Sequence, residues 1–334
     1  MHSDTLPLLA IIADDLTGAL DAAAPFAGRG LRVEVALSPD AVPEAVATGA
    51  QVISVSTRSR EVGAEAARAA VVIALAGLPA GTRMFKKVDS RLKGNIAAEL
   101  SAFPDGPALA APAIPDLGRV VRDGCVTGFG VADPIAVAPR LGRPAAIPDT
   151  GTEEEMRAAL SNAGDALLIG ARGLARALAV QLTGQQDEDA PALAGPRGLL
   201  IVGSRDPITL AQVAALDGVT PVPAPNGVIP DAPAADITLI QATQGDDRVD
   251  GTVVAANLAH GLRALPTPDT LFLTGGATAE AVLSAQGIRT LRLLGEALPG
   301  LPVAQAGGMT IVAKSGGFGT GDTLARVVRM IREG

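Results

Sequence analysis

Short apolar runs alternate with Ala-rich amphipathic stretches through almost the whole of this 334-residue chain, and no other feature narrows its fold as much. An uninterrupted run of four to six apolar residues suits a strand buried on both faces, and the amphipathic stretch after it suits a covering helix. That is the βα rhythm of a largely parallel sheet. The pattern predicts strands at Leu8–Ala13, Arg32–Leu37, Val52–Val55, Met84–Val88, Ala108–Ala111 and Ala166–Ile169. Further strands are predicted at Gly198–Val202, Ile237–Ile240, Thr270–Leu273, Thr290–Leu293 and Met309–Ala313. Helices are predicted at Ala19–Ala27, Glu61–Leu75, Glu153–Leu160, Leu174–Leu182, Ile208–Leu216, Thr252–Leu265, Thr278–Ala285 and Thr323–Ile331. The length favours two domains over one. The best linker is Gly184–Arg197, where Gly, Pro, Gln and three acidic residues break the rhythm. The expected architecture is α/β with two domains, residues 1–190 and 197–334, each a largely parallel sheet flanked by helices, with a ligand cleft between them. Pro-rich Thr220–Pro233 reads as a surface connection within the second domain. The run Leu6–Ala13 lacks a basic leader and ends in Asp14-Asp15, so it reads as a first strand and not as a signal peptide.

Composition removes several function classes. Aromatic residues make up 2% of the chain, with no Trp or Tyr, so stacking platforms for bases are nearly absent. A formal charge of −8 repels a polyanionic backbone, so nucleic acid is not an expected partner, although a local Arg/Lys cluster can still hold a small anion. No apolar stretch is long enough to span a bilayer, and no membrane partner is expected. The single Cys125 precludes an internal disulfide and fits a reducing, cytoplasmic setting. His2 and His260 are the only histidines, too few for a multi-His zinc site and poorly placed for a His-based triad. Assembly into a homo-oligomer is left open.

Three βα units in the first half carry unusual polar residues just after their strands. These are Ala13-Asp14-Asp15-Leu16-Thr17-Gly18, Ser56-Thr57-Arg58-Ser59-Arg60, and Lys86-Lys87-Val88-Asp89-Ser90-Arg91-Leu92-Lys93-Gly94-Asn95. In a parallel sheet the C-terminal ends of the strands share one edge, where ligands bind. The clusters would therefore converge into a site for a hydroxylated carboxylate. Arg58 and a Lys or Arg would hold the carboxyl group, and the aspartates would hold hydroxyls and deprotonate the attacking one. Blander explanations exist for each cluster. Asp15 or Thr17 can cap the helix starting near Ala19, Arg58 and Arg60 can be solvated charges, and Asn95 can cap the helix through Leu100. Lys86 and Lys87 straddle a strand, so only one can enter the crevice.

The second half repeats a strand–glycine–helix arrangement three times. It reads Val202-Gly203-Ser204, then Leu273-Thr274-Gly275-Gly276-Ala277-Thr278, then Lys314-Ser315-Gly316-Gly317-Phe318-Gly319-Thr320-Gly321-Asp322-Thr323. Glycines let amides approach phosphate oxygens, and the following helix adds its dipole. Lys314 and the hydroxyls of Ser204, Thr278 and Ser315 can complete such a cradle. Four glycines within Gly316–Gly321 are more than a turn needs, whereas Gly275-Gly276 alone suits a tight turn equally well. No P-loop pattern closes, and the last loop is not a dinucleotide fingerprint.

Taken in order, these motifs resemble the four-carbon acid sugar kinases. The resemblance rests on Ala13–Ala19, Thr57–Ser59, Lys86–Leu100, Ala111-Pro112-Ala113 with Gly118-Arg119, Gly203-Ser204, Thr274–Ala279, Gly295-Glu296 with Pro299-Gly300, and Lys314–Gly319. It implies ATP-dependent phosphorylation of a threonate-, erythronate- or 3-oxotetronate-type acid, with Mg²⁺, the acid bound by the first domain and ATP by the second. By that resemblance Asp14, Asp15, Arg58, Lys87, Asp89, Ser90, Arg91 and Leu92 contact the small anionic substrate. Ser204, Gly275, Gly276, Ala277, Thr278, Ala279, Lys314, Gly316, Gly317 and Gly319 contact ATP. Asp15 and Asp89 are the candidates for catalysis. Asp322 is a second candidate base, since Gly319-Thr320-Gly321-Asp322 resembles the anion-hole motif of ribokinase-type kinases; the metal ligands are not legible. The chain departs from the family pattern at four places. It is shorter, with the loss centred on Asp133–Asp149; Ala277 stands where an acidic residue is common; Arg91 and Lys93 replace a Thr and an Arg; and the aromatic and His residues expected after Gly124 are missing. The rivals are a ribokinase-like sugar kinase, an NAD-dependent oxidoreductase, and a binding protein of the same fold without turnover.

Overall fold

Leu9-Ala10-Ile11-Ile12-Ala13 carries no polar side chain, and all five residues are fully buried. Such a strand is stable only inside a sheet covered on both faces. It is β1 (Leu9–Ala13) of a computed structural model that describes residues 8–230 and 235–334 and falls into two compact units, Met1–Asp189 and Ala190–Gly334. His2 and the ends of the runs Leu6–Ala13 and Thr220–Pro233 lie outside the described residues.

The first unit continues with α1 (Leu16–Ala27), β2 (Val33–Ala36), α2 (Val42–Ala47), β3 (Val52–Ser56), α3 (Ala64–Ala76), β4 (Arg83–Lys87), α4 (Ile96–Leu100) and β5 (Ala108–Ala111). Then come β6 (Arg119–Arg122), β7 (Cys125–Gly128), β8 (Ile135–Ala136), α5 (Ala138–Leu141), α6 (Glu153–Ser161), β9 (Leu167–Gly170) and α7 (Arg172–Thr183). Six strands pair in the order β2-β3-β1-β4-β9-β5, all parallel, while β6-β7-β8 form a small antiparallel sheet. The neighbours β3, β1 and β4 therefore bring their C-terminal ends side by side.

The second unit holds β10 (Gly198–Val202), α8 (Pro207–Ala214), β11 (Pro221–Pro225), β12 (Ile237–Thr243), α9 (Gly251–Gly261), β13 (Thr270–Thr274), α10 (Gly276–Ala285), β14 (Thr290–Leu298), β15 (Leu301–Ala306), β16 (Met309–Lys314) and α11 (Thr323–Glu333). The order is β11-β12-β10-β13-β16-β15-β14, parallel through β16 and antiparallel for the last two pairings. Leu200, Val202, Phe272, Val312, Leu324, Val327 and Ile331 pack the core between this sheet and the apolar stripe of α11.

Several elements differ from the sequence reading. α1 starts at Leu16 and not near Ala19, because Asp15 is extended and caps the helix there. α3 starts at Ala64 and not at Glu61, after Gly63. The stretch read as a surface connection contains β11, whose Pro221, Pro223 and Pro225 alternate along the edge of the sheet. Alternate residues direct their amides to the same side, so the three missing N–H groups fall on the open edge, out of phase with Asn226 N, which donates to Thr243 O at 2.9 Å on the paired side.

Candidate active site

At the end of β1 the chain enters α1 through two carboxylates. Asp15 Oδ1 accepts from Gly18 N at 2.7 Å, and Thr17 Oγ1 donates to Asp15 Oδ2 at 3.1 Å. Asp15 is thus a helix cap, but it is also gripped from β3: Arg60 Nη1 lies 2.6 Å from Asp15 Oδ2. The same guanidinium forms a two-pronged bond to Asp14, with Nε to Oδ2 at 2.9 Å and Nη2 to Oδ1 at 2.8 Å. Asp14 is 2% exposed. Burial alone would raise its carboxyl, but the Arg60 bond and the charges of Lys86 and Lys87 outweigh it and hold Asp14 below the ordinary value. Burial likewise opposes the Arg60 charge, and the hydrogen bond to Asp14 with the charge of Asp15 more than compensates. Gly94, at φ +94°, completes the enclosure: a Cβ there would stand 2.8 Å from Asp14 Oδ2.

Both lysines of β4 are buried, and they leave the strand on opposite sides, Lys86 toward a helix. Lys86 Nζ pairs with Glu99 Oε2 of α4 at 2.8 Å, and Glu99 Oε1 accepts from Ser59 Oγ. Thr57 Oγ1 in turn lies 2.6 Å from Ser59 Oγ and donates to Ala13 O at 2.8 Å, so one polar network ties the ends of β1, β3 and β4 together. Lys87 lies on the opposite side of the strand, its Nζ 3.2 Å from where a Gly18 Cβ would stand. Asn95 does not cap α4 through its side chain; its Nδ2 donates to Ser59 O and Val62 O, both at 2.8 Å, and clamps the turn that carries Arg60.

The loop after β4 supplies the rest. Asp89 Oδ1 accepts from Arg91 N at 2.9 Å, Ser90 Oγ accepts from Arg119 Nη1 at 2.6 Å, and Leu92 is buried at φ +56°. Leu92 therefore offers backbone and not side chain to a ligand, while Arg91 is exposed. Arg58, at φ +52°, is exposed too, with Nε donating to Leu37 O at 2.8 Å. The reversed backbone at Arg58 is what lets Arg60 face the aspartates. Arg60, Glu99 and Arg119 carry the geometry without having been singled out as contacts. In the sequence they are visible only as members of motifs: Arg60 two positions from Arg58, Glu99 within Lys86–Leu100, and Arg119 in Gly118-Arg119.

In the second unit the loops after β10, β13 and β16 meet, as the pairing of these three strands requires. A Cβ on Gly203 would collide with Thr278, and one on Gly316 would collide with Ser204 Oγ and lie 2.9 Å from Asp206 Cβ. Lys314, 1% exposed, donates to Thr209 Oγ1 at 2.9 Å, Ser315 O at 3.1 Å and Gly316 O at 3.0 Å. Burial without a contacting carboxylate lowers its ammonium to about 8, and Asp206 nearby acts in the other direction. Thr209 Oγ1 also donates to Gly316 O at 2.8 Å, and Gln212 Nε2 donates to Phe318 O at 3.1 Å and Thr320 O at 2.9 Å. The loop carbonyls are thus fastened toward Lys314 and α8. Among the described residues the amides of Gly316, Gly317 and Gly319 donate to no protein group. In the β13 turn Gly275 N is bonded to Lys314 O and Ala279 N to Gly275 O, which leaves the first-turn amides of Gly276, Ala277 and Thr278 as the donors there. Asp206 caps α8 through Oδ1 at 2.9 Å, with Oδ2 3.5 Å from where a Gly317 Cβ would stand; the sequence reading had not marked it. Asp322 lies on the surface, its carboxyl lowered by the bond from Thr320 Oγ1 at 2.5 Å.

Residues 9–139 match a family model described as a sugar-binding N-terminal domain, and residues 227–324 one described as a nucleotide-binding C-terminal domain. The chain is 30% identical to a D-threonate kinase of Cupriavidus necator over 93% of this chain and 94% of that protein. It is 29% identical to a D-threonate kinase of Bordetella bronchiseptica over 98% of each. The latter alignment runs over 406 positions, so that relative carries segments which these 334 residues lack. A solved structure from Haemophilus influenzae, of a family named for a domain of unknown function, shares the fold with a TM-score of 0.71 at 19% identity, covering 96% of this chain and 100% of that one. No helix among the described residues is long and apolar enough to cross a membrane. Both domain models are met in order, and the likeness extends over nearly the full length of a D-threonate kinase: the chain belongs to the four-carbon acid sugar kinase family.

Proposed function

We propose that this protein transfers the γ-phosphoryl group of ATP to a hydroxyl of a four-carbon sugar acid of the threonate, erythronate or 3-oxotetronate type. The observation that carries the reading is the Asp14–Arg60–Asp15 clamp at the end of β1, in a chain that matches D-threonate kinases from end to end. Arg60 fixes both carboxylates in place as acceptors for substrate hydroxyls, and its bond favours the ionised form of Asp14. Asp15 takes the proton of the attacking hydroxyl, with Asp89 as the second candidate. Lys87, Ser90 and the backbone around Arg91 and Leu92 border the acid, while Arg58 stands at the rim.

The nucleotide is received by the C-terminal unit. Phosphoryl transfer asks chiefly for positioning and charge neutralisation. The unbonded amides of Gly316, Gly317 and Gly319 and of the first turn of α10 supply both for the phosphates. Lys314 and Ser204 shape the loop from beneath, and Lys314 adds its charge from below the glycines. Among the described residues no group of three or more His, Cys, Asp or Glu could hold a metal by itself. A single carboxylate at the glycine loop, Asp206, fits Mg²⁺, which is commonly held by one or two carboxylates together with substrate phosphates. Asp206 would hold the ion, which would supply charge neutralisation for the transfer. Ala277 offers no side chain for that role.

An ADP-release assay over a panel of four-carbon sugar acids tests the reading. Turnover with at least one acid, dependent on ATP and Mg²⁺, is expected. Tight binding of both ligands with no turnover on any acid would replace the kinase by a binding protein of the same fold, the outcome that Ala277 favours.

A further inference from the structure

Arg119 opens β6 and is 8% exposed, yet no carboxylate lies at ion-pair distance from it among the described residues. Its hydrogen bonds go to neutral groups: Nε donates to Phe129 O at 2.9 Å and Nη1 to Ser90 Oγ at 2.6 Å. Nη2 makes no bond to the described residues and is not closed off from solvent. The neighbouring loop leaves space for it, since a Cβ on Gly130, at φ +72°, would stand 2.8 Å from Nη2. A buried guanidinium without an anion is expensive, and a second cation makes it more so. Burial and the charge of Arg91 both weaken the hold of Arg119 on its proton, and Asp89 only partly offsets them.

The position of this cation gives it a use. Ser90 lies beside Asp89, and the charge of Asp89 acts on both Arg119 and Arg60, the residue that clamps Asp14 and Asp15. Ser90 Oγ accepts from Arg119, so its own proton is left to donate. The free Nη2 and the neighbouring Ser90 hydroxyl can then donate to one anion, and a carboxylate, with two acceptor oxygens and a negative charge, matches them. We infer that Arg119, with the Ser90 hydroxyl, is the anchor for the carboxylate of the sugar acid and sets the preference for acids over neutral polyols. The inference rests on the sugar-acid kinase reading and adds the residue that recognises the acid group. Arg119 is held from two sides, whereas Arg58 is exposed.

Calorimetric binding of threonate and erythronate, and of the neutral threitol and erythritol, to the full chain tests it. Wild-type protein should bind its acid at least about a hundredfold more tightly than the matching tetritol. Arg119→Met should lose about that factor for the acid and leave the tetritol and Mg-ATP unchanged. Arg119→Lys should recover part of it, as a point charge without the fork. Ser90→Ala removes the donor without touching the buried charge, and should cost about tenfold for the acid alone; it keeps the test available if Arg119→Met fails to fold. Equal losses for acid and tetritol, or acid binding that neither substitution alters, would overturn the anchor. Wild-type protein that binds Mg-ATP but no four-carbon acid would overturn the kinase reading itself, and the anchor with it.

Discussion

Asp15 caps α1 and is also the base of the proposed reaction, and substitutions can separate the two roles. As the cap of α1 it needs only a side-chain oxygen for Gly18 N, which asparagine also provides. As the base for the attacking hydroxyl it needs a carboxylate. Asp15→Asn should therefore lower turnover by about 10²–10⁴-fold while thermal unfolding moves little. Asp15→Ala should lose the same turnover and about 1 kcal/mol of stability besides. Unchanged turnover in Asp15→Asn would remove Asp15 from the chemistry. Lys314 poses a pH question. Its folded value of about 8 lies below the ordinary 10.5, so between the two the unfolded chain carries a proton that the folded chain has released. Stability from this group thus rises with pH through that window, since folding is relieved of a buried charge. Affinity for an anion runs the other way. Mg-ATP binding should weaken as pH rises above about 8, by up to about tenfold per unit, and Lys314→Met should be weaker throughout and flat. A wild-type slope that persists in Lys314→Met would assign the titration elsewhere.

The elements that build the site are joined by Glu99 of α4. Its carboxylate faces Lys86 on β4 and Ser59 after β3, and both members of the ion pair are buried. Glu99→Gln should cost about 3–5 kcal/mol in urea denaturation, because it strands the Lys86 charge, whereas Lys86→Met with Glu99→Leu should recover most of the loss. A single-substitution cost below about 1 kcal/mol would mark the pair as no more than a surface contact. This network also explains what the sequence made legible. The strands stood out because their apolar runs are buried on both faces, and Asp14, Asp15 and Asp89 stood out because strand ends are where such residues gather. The partners did not. Glu99 and Arg119 reach the site from α4 and β6, and the motifs that contain them give no sign of the groups they meet. Arg60 turns inward in a turn that has a left-handed backbone at Arg58 and is clamped by Asn95, which no periodicity encodes. The weakly apolar β6, β7 and β8 and the proline-lined β11 were overlooked for a related reason: short, half-exposed or edge strands lack the buried run that marks a central one.

At the scale of the whole molecule, the proposed function gives the two units different kinds of recognition, and hydrogen exchange can read them separately. In the C-terminal unit the unbonded donors are backbone amides, those of Gly316, Gly317 and Gly319 and of the first turn of α10. Amides without a protein acceptor exchange quickly, and a bound phosphate would slow them directly by accepting from them. In the N-terminal unit the proposed contacts are chiefly charged and hydroxyl side chains, on a loop whose Arg91 amide is already bonded to Asp89. Mg-ATP should therefore protect residues 316–319 and 276–278, with little effect on residues 89–94. A four-carbon acid should slow exchange across residues 89–94 by stiffening that loop, and leave the glycine amides fast. With each ligand at about a hundred times its Kd, the state it binds gains about 2.7 kcal/mol, close to a hundredfold slowing where exchange needs the bound unit to open. Protection of the glycine loop by the acid alone, or of residues 89–94 by Mg-ATP alone, would reverse the assignment of the two ligands. Protection of both sets by either ligand would instead reveal an energetic coupling between the units, of a size equal to the smaller protection.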